Sequence, residues 1–116
     1  MTLDLSVFTG SLRWFEHPTF PTLLLTDGVR HIGEQANAWW LLDHIGLNYL
    51  HHPGFSRMDF QVWEILFDEK NEQMIIELQD GDGKKYVSWS FKEKTFPLER
   101  LSIWVTDNVL LLPSEW

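Results

Sequence analysis

Cysteine is absent from this chain of 116 residues, which removes disulfides, thiolate metal sites and a cysteine nucleophile from consideration. No apolar run approaches the ~20 residues that a helix needs to span a bilayer, so the sequence reads as that of a soluble protein. The opening MTLDLSVFTGSLRW carries Asp4 and no basic stretch ahead of an apolar one, unlike a secretion signal, and the expected location is the cytoplasm. Basic residues are scarce as well: nine Lys and Arg face seventeen Asp and Glu, a formal net charge of -8. Phosphate backbones are neutralised by clustered Lys and Arg, so direct nucleic-acid binding is disfavoured. Acidity can imitate DNA instead, yet the carboxylates are interspersed with other groups, as in Asp68, Glu69, Lys70, Asn71 and Glu72. Solubility is the plain reading and DNA mimicry an alternative. Repeats, low-complexity segments and linkers are also missing, which leaves a single domain over residues 1 to 116, with residues 1 to 7 and the loop around 51 to 57 expected to be mobile.

Aromatic residues, by contrast, are plentiful, with seven Trp and eight Phe. A chain of this length buries roughly two-thirds of its extended surface on folding, enough for a core without metal or disulfide staples. Three turns divide it. TLLLT, Asp27-Gly28 and VRHI predict a hairpin over residues 22 to 32, since Asp-Gly suits a type I′ turn. MIIELQD and KKYVSWSFK flank Gly81-Asp82-Gly83, and LSIWVT and VLLL flank Asp107-Asn108; both predict further hairpins. Met74, Ile76 and Leu78 alternate with polar or outward residues, as do Val87, Trp89 and Phe91, and Leu101, Ile103 and Val105. One-sided strands of this kind belong to an antiparallel sheet covered on one face. FQVWEILF is apolar on both faces, which suits a central strand.

Between the first hairpin and these strands, NAWWLLDHIGLNYLHHP predicts the main helix. Ala38, Leu42, Ile45 and Tyr49 share one side, flanked by Leu41, Gly46 and Trp39, as on a helix laid against a core. Asn37 is the expected N-cap, and His51, His52, Pro53 and Gly54 form the exit. The fold class is therefore α+β: an amino-terminal strand and β-hairpin, one main helix, then an antiparallel meander of about five strands with the helix on one face. The pattern breaks on the far side of the helix, where Trp40, His44, Leu47 and His51 form a continuous ridge at spacings of four, three and four residues. Either the amino-terminal segment with Trp14, Phe15 and Phe20, or the first hairpin, covers this ridge, or the ridge is a contact surface for a partner or a second copy.

Chemistry-bearing motifs are weak. His44 and His51 lie about 10 Å apart along a helix, too far to share one ion; the adjacent His51 and His52 could join His17 or His31, but nothing in the sequence brings these together. Asp68, Lys70 and Glu72 fail as a calcium loop, because the third place is basic and Gln73 stands where glycine is needed. GDGKK lacks the strand and helix of a phosphate cradle. None of Ser6, Ser11, Ser56, Ser88, Ser90, Ser102 and Ser114 sits in a nucleophile elbow, and Asp27, Asp43 or Asp59 with a histidine is a generic pairing. No catalytic residue, metal ligand or cofactor is assigned.

Four blocks, FTGSLRWFEHP, LLLTDGVRHIGEQANAWWLLDHI, DFQVWEILF and FPLERLSIWVTDNVLLLPSEW, together resemble a bacterial domain-of-unknown-function family with Thr-Asp-Gly-Val, aromatic-Trp-Leu-Leu-Asp, Phe-Gln-Val-Trp and Leu-Pro-Ser-Glu-aromatic signatures. At Trp39 this chain has a different aromatic residue from the Tyr-Trp pair of that pattern. The resemblance implies a bacterial cytoplasmic domain and an accessory role, and it supplies no catalytic residue. The favoured function is a small non-enzymatic binding or regulatory protein. Its expected surface is Trp40, His44, Leu47 and His51 on the helix, with Tyr86 and Trp104 on the outer sheet, meeting a protein partner or forming a homo-oligomer. A small hydrolase or metal-dependent enzyme using His and Asp is the alternative, beside the DNA mimic.

Overall fold

Successive side chains of a strand point to opposite faces, so alternating apolar and polar residues fold most readily as a sheet with one dry side. The computed structural model describes residues 3–8, 13–54 and 58–116. Its strands are β1 (Trp14–Glu16), β2 (Leu24–Thr26), β3 (Phe60–Asp68), β4 (Gln73–Gln79), β5 (Lys85–Lys92), β6 (Arg100–Thr106) and β7 (Val109–Leu111). Two helices, α1 (Asp27–Gln35) and α2 (Trp39–His51), lie between β2 and β3, and a 3-10 turn spans Pro113–Glu115. The strands form one sheet in the order β1-β2-β7-β6-β3-β4-β5. Neighbours are antiparallel except β2 and β7, which run parallel. This is the expected α+β architecture, with an amino-terminal strand pair and five strands after residue 57. No helix among the described residues is long and apolar enough to cross a membrane. The mobility expected of residues 1, 2 and 55 to 57, and the candidate hydroxyls Ser11 and Ser56, lie outside the described residues.

Register decides which side chains meet. Trp63 pairs with Leu78 on one side and Ile103 on the other, and Ile65 with Ile76 and Leu101. All of these sit on the inner face and are buried, together with Val29 and Ile32 of α1 and Leu41, Leu42 and Ile45 of α2. The strand order departs from a simple meander at one point: β6 returns through residues 93–99 to lie beside β3, giving β6-β3-β4-β5, the spatial order of a Greek key. The crossing is tied at both ends, where the Glu93 N–H donates to the Glu72 carbonyl at 3.0 Å and the Phe67 N–H to the Glu99 carbonyl at 2.9 Å.

Two expectations are overturned. Residues 22 to 32 do not form a hairpin, because Asp27-Gly28 opens α1 instead of turning the chain. Thr26 is the N-cap, its hydroxyl accepting from the Val29 N–H, and Asp27 adds an acidic group in the first turn, where the helix dipole favours it. The partners of β2 are β1 and β7. Nor is Asn37 the N-cap of α2, which is Ala38 with no side-chain bond. Asn37 has φ 50° and is the left-handed residue that ends α1. The Ala38 N–H closes back on the Gly33 carbonyl at 3.1 Å, the six-to-one bond of a Schellman motif.

Candidate functional site

The ridge on α2 is divided by the sheet. The Trp40 ring meets Phe91 edge-on at 5.9 Å, and the His44 ring stands perpendicular to Trp89, Phe91 and Trp63 at 4.6, 5.5 and 5.8 Å. These rings belong to β3 and β5, so the inner sheet face covers Trp40 and His44, whereas the sequence offered either cover by the amino-terminal segment or first hairpin or an exposed contact surface. Leu47 stays 52% exposed, and His51, also exposed, has its ring 6.2 Å from that of Phe20. The Nε2 atom of His44 is buried without a hydrogen-bond partner, and desolvation pushes its pKa below the ordinary histidine value. Tyr86 stands apart at the start of β5, its hydroxyl 3.4 Å from Asp80. The six expected surface residues therefore do not make one exposed patch.

The histidine and carboxylate pair that comes closest to catalytic geometry is already committed to structure. His17 is buried, with Nε2 2.9 Å from the Leu42 carbonyl, while Nδ1 accepts from the N–H groups of Thr19 and Phe20, both at 3.1 Å. Asp43 lies 3.9 Å from Nε2 and accepts from the Thr19 hydroxyl at 2.6 Å. With a donor and an acceptor role filled by backbone, the imidazole pins residues 17–20 to α2. Among the described residues no three of His, Asp and Glu gather as a group that could hold a metal.

The outer face of the sheet, which neither helix covers, has a different character. Trp104 on β6, Phe60 on β3 and Trp116 form an edge-to-face triad with ring centroids 5.3 to 5.9 Å apart. Beside it lies a groove of about 250 Å³ between Trp14 and Trp116, lined also by Val109, Leu111, Asp107 and Glu115. These two tryptophans are 58% and 73% exposed. Larger hollows of about 380 and 630 Å³ lie against Phe67 and Phe96 at the Greek-key crossing, but they contain no large, exposed apolar side chain.

Glu115 fixes the groove to the fold. It is only 8% exposed; Oε1 accepts from the Thr26 hydroxyl at 2.6 Å and the Leu112 N–H at 3.1 Å, and Oε2 from the Gly28 N–H at 3.0 Å. A carboxylate at the start of α1 satisfies donors that the first helical turn leaves open. Gly28 permits this approach: a Cβ there would fall 2.5 Å from Leu112 Cδ1 and 2.7 Å from Glu115 Oε1. The Thr-Asp-Gly-Val and Leu-Pro-Ser-Glu-aromatic blocks, 86 residues apart between Thr26 and Leu112, are thus the two halves of one junction. Trp104 was legible as an outward residue from strand alternation. Trp14, Trp116 and the buried Glu115 beside them have no place among the expected site residues, although a charged Glu closing a largely apolar, Pro-containing stretch was a signal.

Fold and site together define an α+β domain with one covered sheet face and one aromatic face. The chain belongs to DUF6876, a family of unknown function, whose match runs over residues 1–116. No curated protein and no solved structure matches it.

Proposed function

We propose that the chain is a non-enzymatic binding domain, a small regulatory or accessory protein that meets a protein partner or a second copy of itself through the outer face of its sheet. One observation carries this reading: Trp14 and Trp116, 58% and 73% exposed, flank one groove beside the Phe60, Trp104 and Trp116 triad. Tryptophan is enriched among residues that dominate binding energy, and contiguous exposed aromatic area is uncommon on monomers. Relative to the sequence-based expectation, the surface moves from the helix to the sheet; Trp104 is retained, while Trp40 and His44 serve the packing beneath.

The test is molar mass by sedimentation over a wide concentration range, paired with capture of partners from the native cell. Wild type is expected to associate or to capture a partner. Trp116→Ala should reduce that property while staying folded, and Leu47→Asp on the helix should leave it unchanged. A folded Trp14→Ala/Trp116→Ala protein that associates and captures as wild type does would remove the proposal.

A further inference from the structure

The groove between Trp14 and Trp116 has the chemistry of a cation receptor. Its ionisable lining residues are both acidic, Asp107 and Glu115. Glu115 is more than nine-tenths buried, and its three donors are neutral N–H and O–H groups. Among the described residues no basic side chain lies within ion-pair distance of it. Arg13, adjacent to Trp14 in sequence, lies 3.7 Å from Asp27 and 5.5 Å from the Phe15 ring centre. Phe15 alternates with Trp14 along β1, so Arg13 is directed to the opposite side of that strand. Indole faces attract cations through the ring quadrupole, and the weakly hydrated, planar guanidinium stacks on them better than an ammonium does. At about 250 Å³ the groove is below the usual ~300–1,000 Å³ of small-molecule sites and suits a single side chain.

We propose that this groove receives an arginine side chain from a basic segment of a partner protein, with the guanidinium between Trp14 and Trp116 and its charge answered by Asp107 and Glu115. The inference rests on the binding reading above and names the chemistry of what binds. Charge complementarity favours such an occupant, since the whole chain carries a net charge of -8 and would draw a basic segment toward it.

The experiment is an NMR titration that follows the indole N–H resonances of Trp14 and Trp116 with the peptide acetyl-Gly-Arg-Gly-amide. The uncharged citrulline peptide serves as an isosteric control. Saturable shifts of both indoles with the arginine peptide, at lower concentration than with the citrulline peptide, are the expected result. Trp116→Ala should weaken the response by about threefold, the scale of one exposed cation–π contact. Asp107→Asn should weaken it at low salt and keep the turn, because Asn tolerates the φ of 51° found there. Equal responses to the two peptides, or indoles that do not move, would overturn the proposal. Self-association that Trp116→Ala abolishes, without any arginine response, overturns it as well and leaves the broader binding reading standing.

Discussion

His17 and His44 are both drawn toward the interior, and they differ in what their ring nitrogens meet. Backbone groups engage both nitrogens of His17, whereas Nε2 of His44 has no partner and its ring is enclosed by Trp63, Trp89 and Phe91. Desolvation lowers the His44 pKa in the folded state, so the unfolded chain binds that proton more readily. Its contribution to stability is full above the unfolded value of about 6.5 and is lost as pH falls through it, until the folded pKa is passed. Between about pH 7.5 and about 5.5, the urea midpoint of wild type should therefore fall more steeply than that of His44→Phe, whose ring suits the same aromatic surroundings. Parallel pH profiles would refute this. Glu115 makes a second prediction at this scale. Alanine there strands the Gly28 and Leu112 N–H groups and should cost about 1–3 kcal/mol. Gly28→Ala should cost about the same by overpacking. Because both changes disturb one junction, the double variant should lose less than the sum in equilibrium unfolding. The ridge that contains His44 was legible in the helical pattern, since Trp40 and Leu47 stand where a surface helix carries polar residues. Its cover was not legible, because that depends on β5 lying over α2, a matter of strand order.

At the scale of elements, identical residue types did different work according to their neighbours. Asp-Gly at 27 and 28 reads as a turn by local preference, but Thr26 ahead of it, with Val29 and Ile32 three residues apart, gives a capped helix with a buried stripe. Tertiary burial decided the outcome. Asp107-Asn108, by contrast, turned as its types suggest, with φ of 51° and 64°, the signs that a type I′ hairpin requires. Asn37 and Asn108 both occupy the left-handed region, where glycine is accepted and a β-branched residue is strained. Asn37→Gly should therefore be near neutral in thermal unfolding, and Asn37→Val should lose roughly 1–2 kcal/mol. Equal losses would show that the Asn37 side chain, and not its backbone conformation, holds the link between α1 and α2. Helix and hairpins after residue 36 were readable because periodicity is local. The Greek-key crossing was not, since residues 93–99 carry no mark of where the next strand will dock.

At the scale of the molecule, a single open sheet has two edges, and they are unequal. β1 has three residues and β5 has eight, so β5 presents the longer row of backbone groups to other chains. Long edges invite strand pairing between molecules, and lysine is a common protection. Lys85 and Lys92 end this strand, with Lys84 and Lys94 just beyond; of the nine basic residues in the chain, four lie within residues 84–94. The acidic remainder of the protein thus has a basic margin where association through the backbone is easiest. Like charges would oppose one another if two copies paired these strands with Lys85 across from Lys92, a cost that cross-strand neighbours feel directly. Replacing Lys92 and Lys94 with threonine should consequently produce concentration-dependent association through β5. The comparison belongs in the Trp116→Ala background, so that the aromatic face does not contribute. Sedimentation should then show larger species for the threonine variant alone, and added salt should move the parent toward the same behaviour by screening its lysines. A threonine variant that remains monomeric at every concentration would mean that the twist of β5, and not its charge, keeps the edge closed.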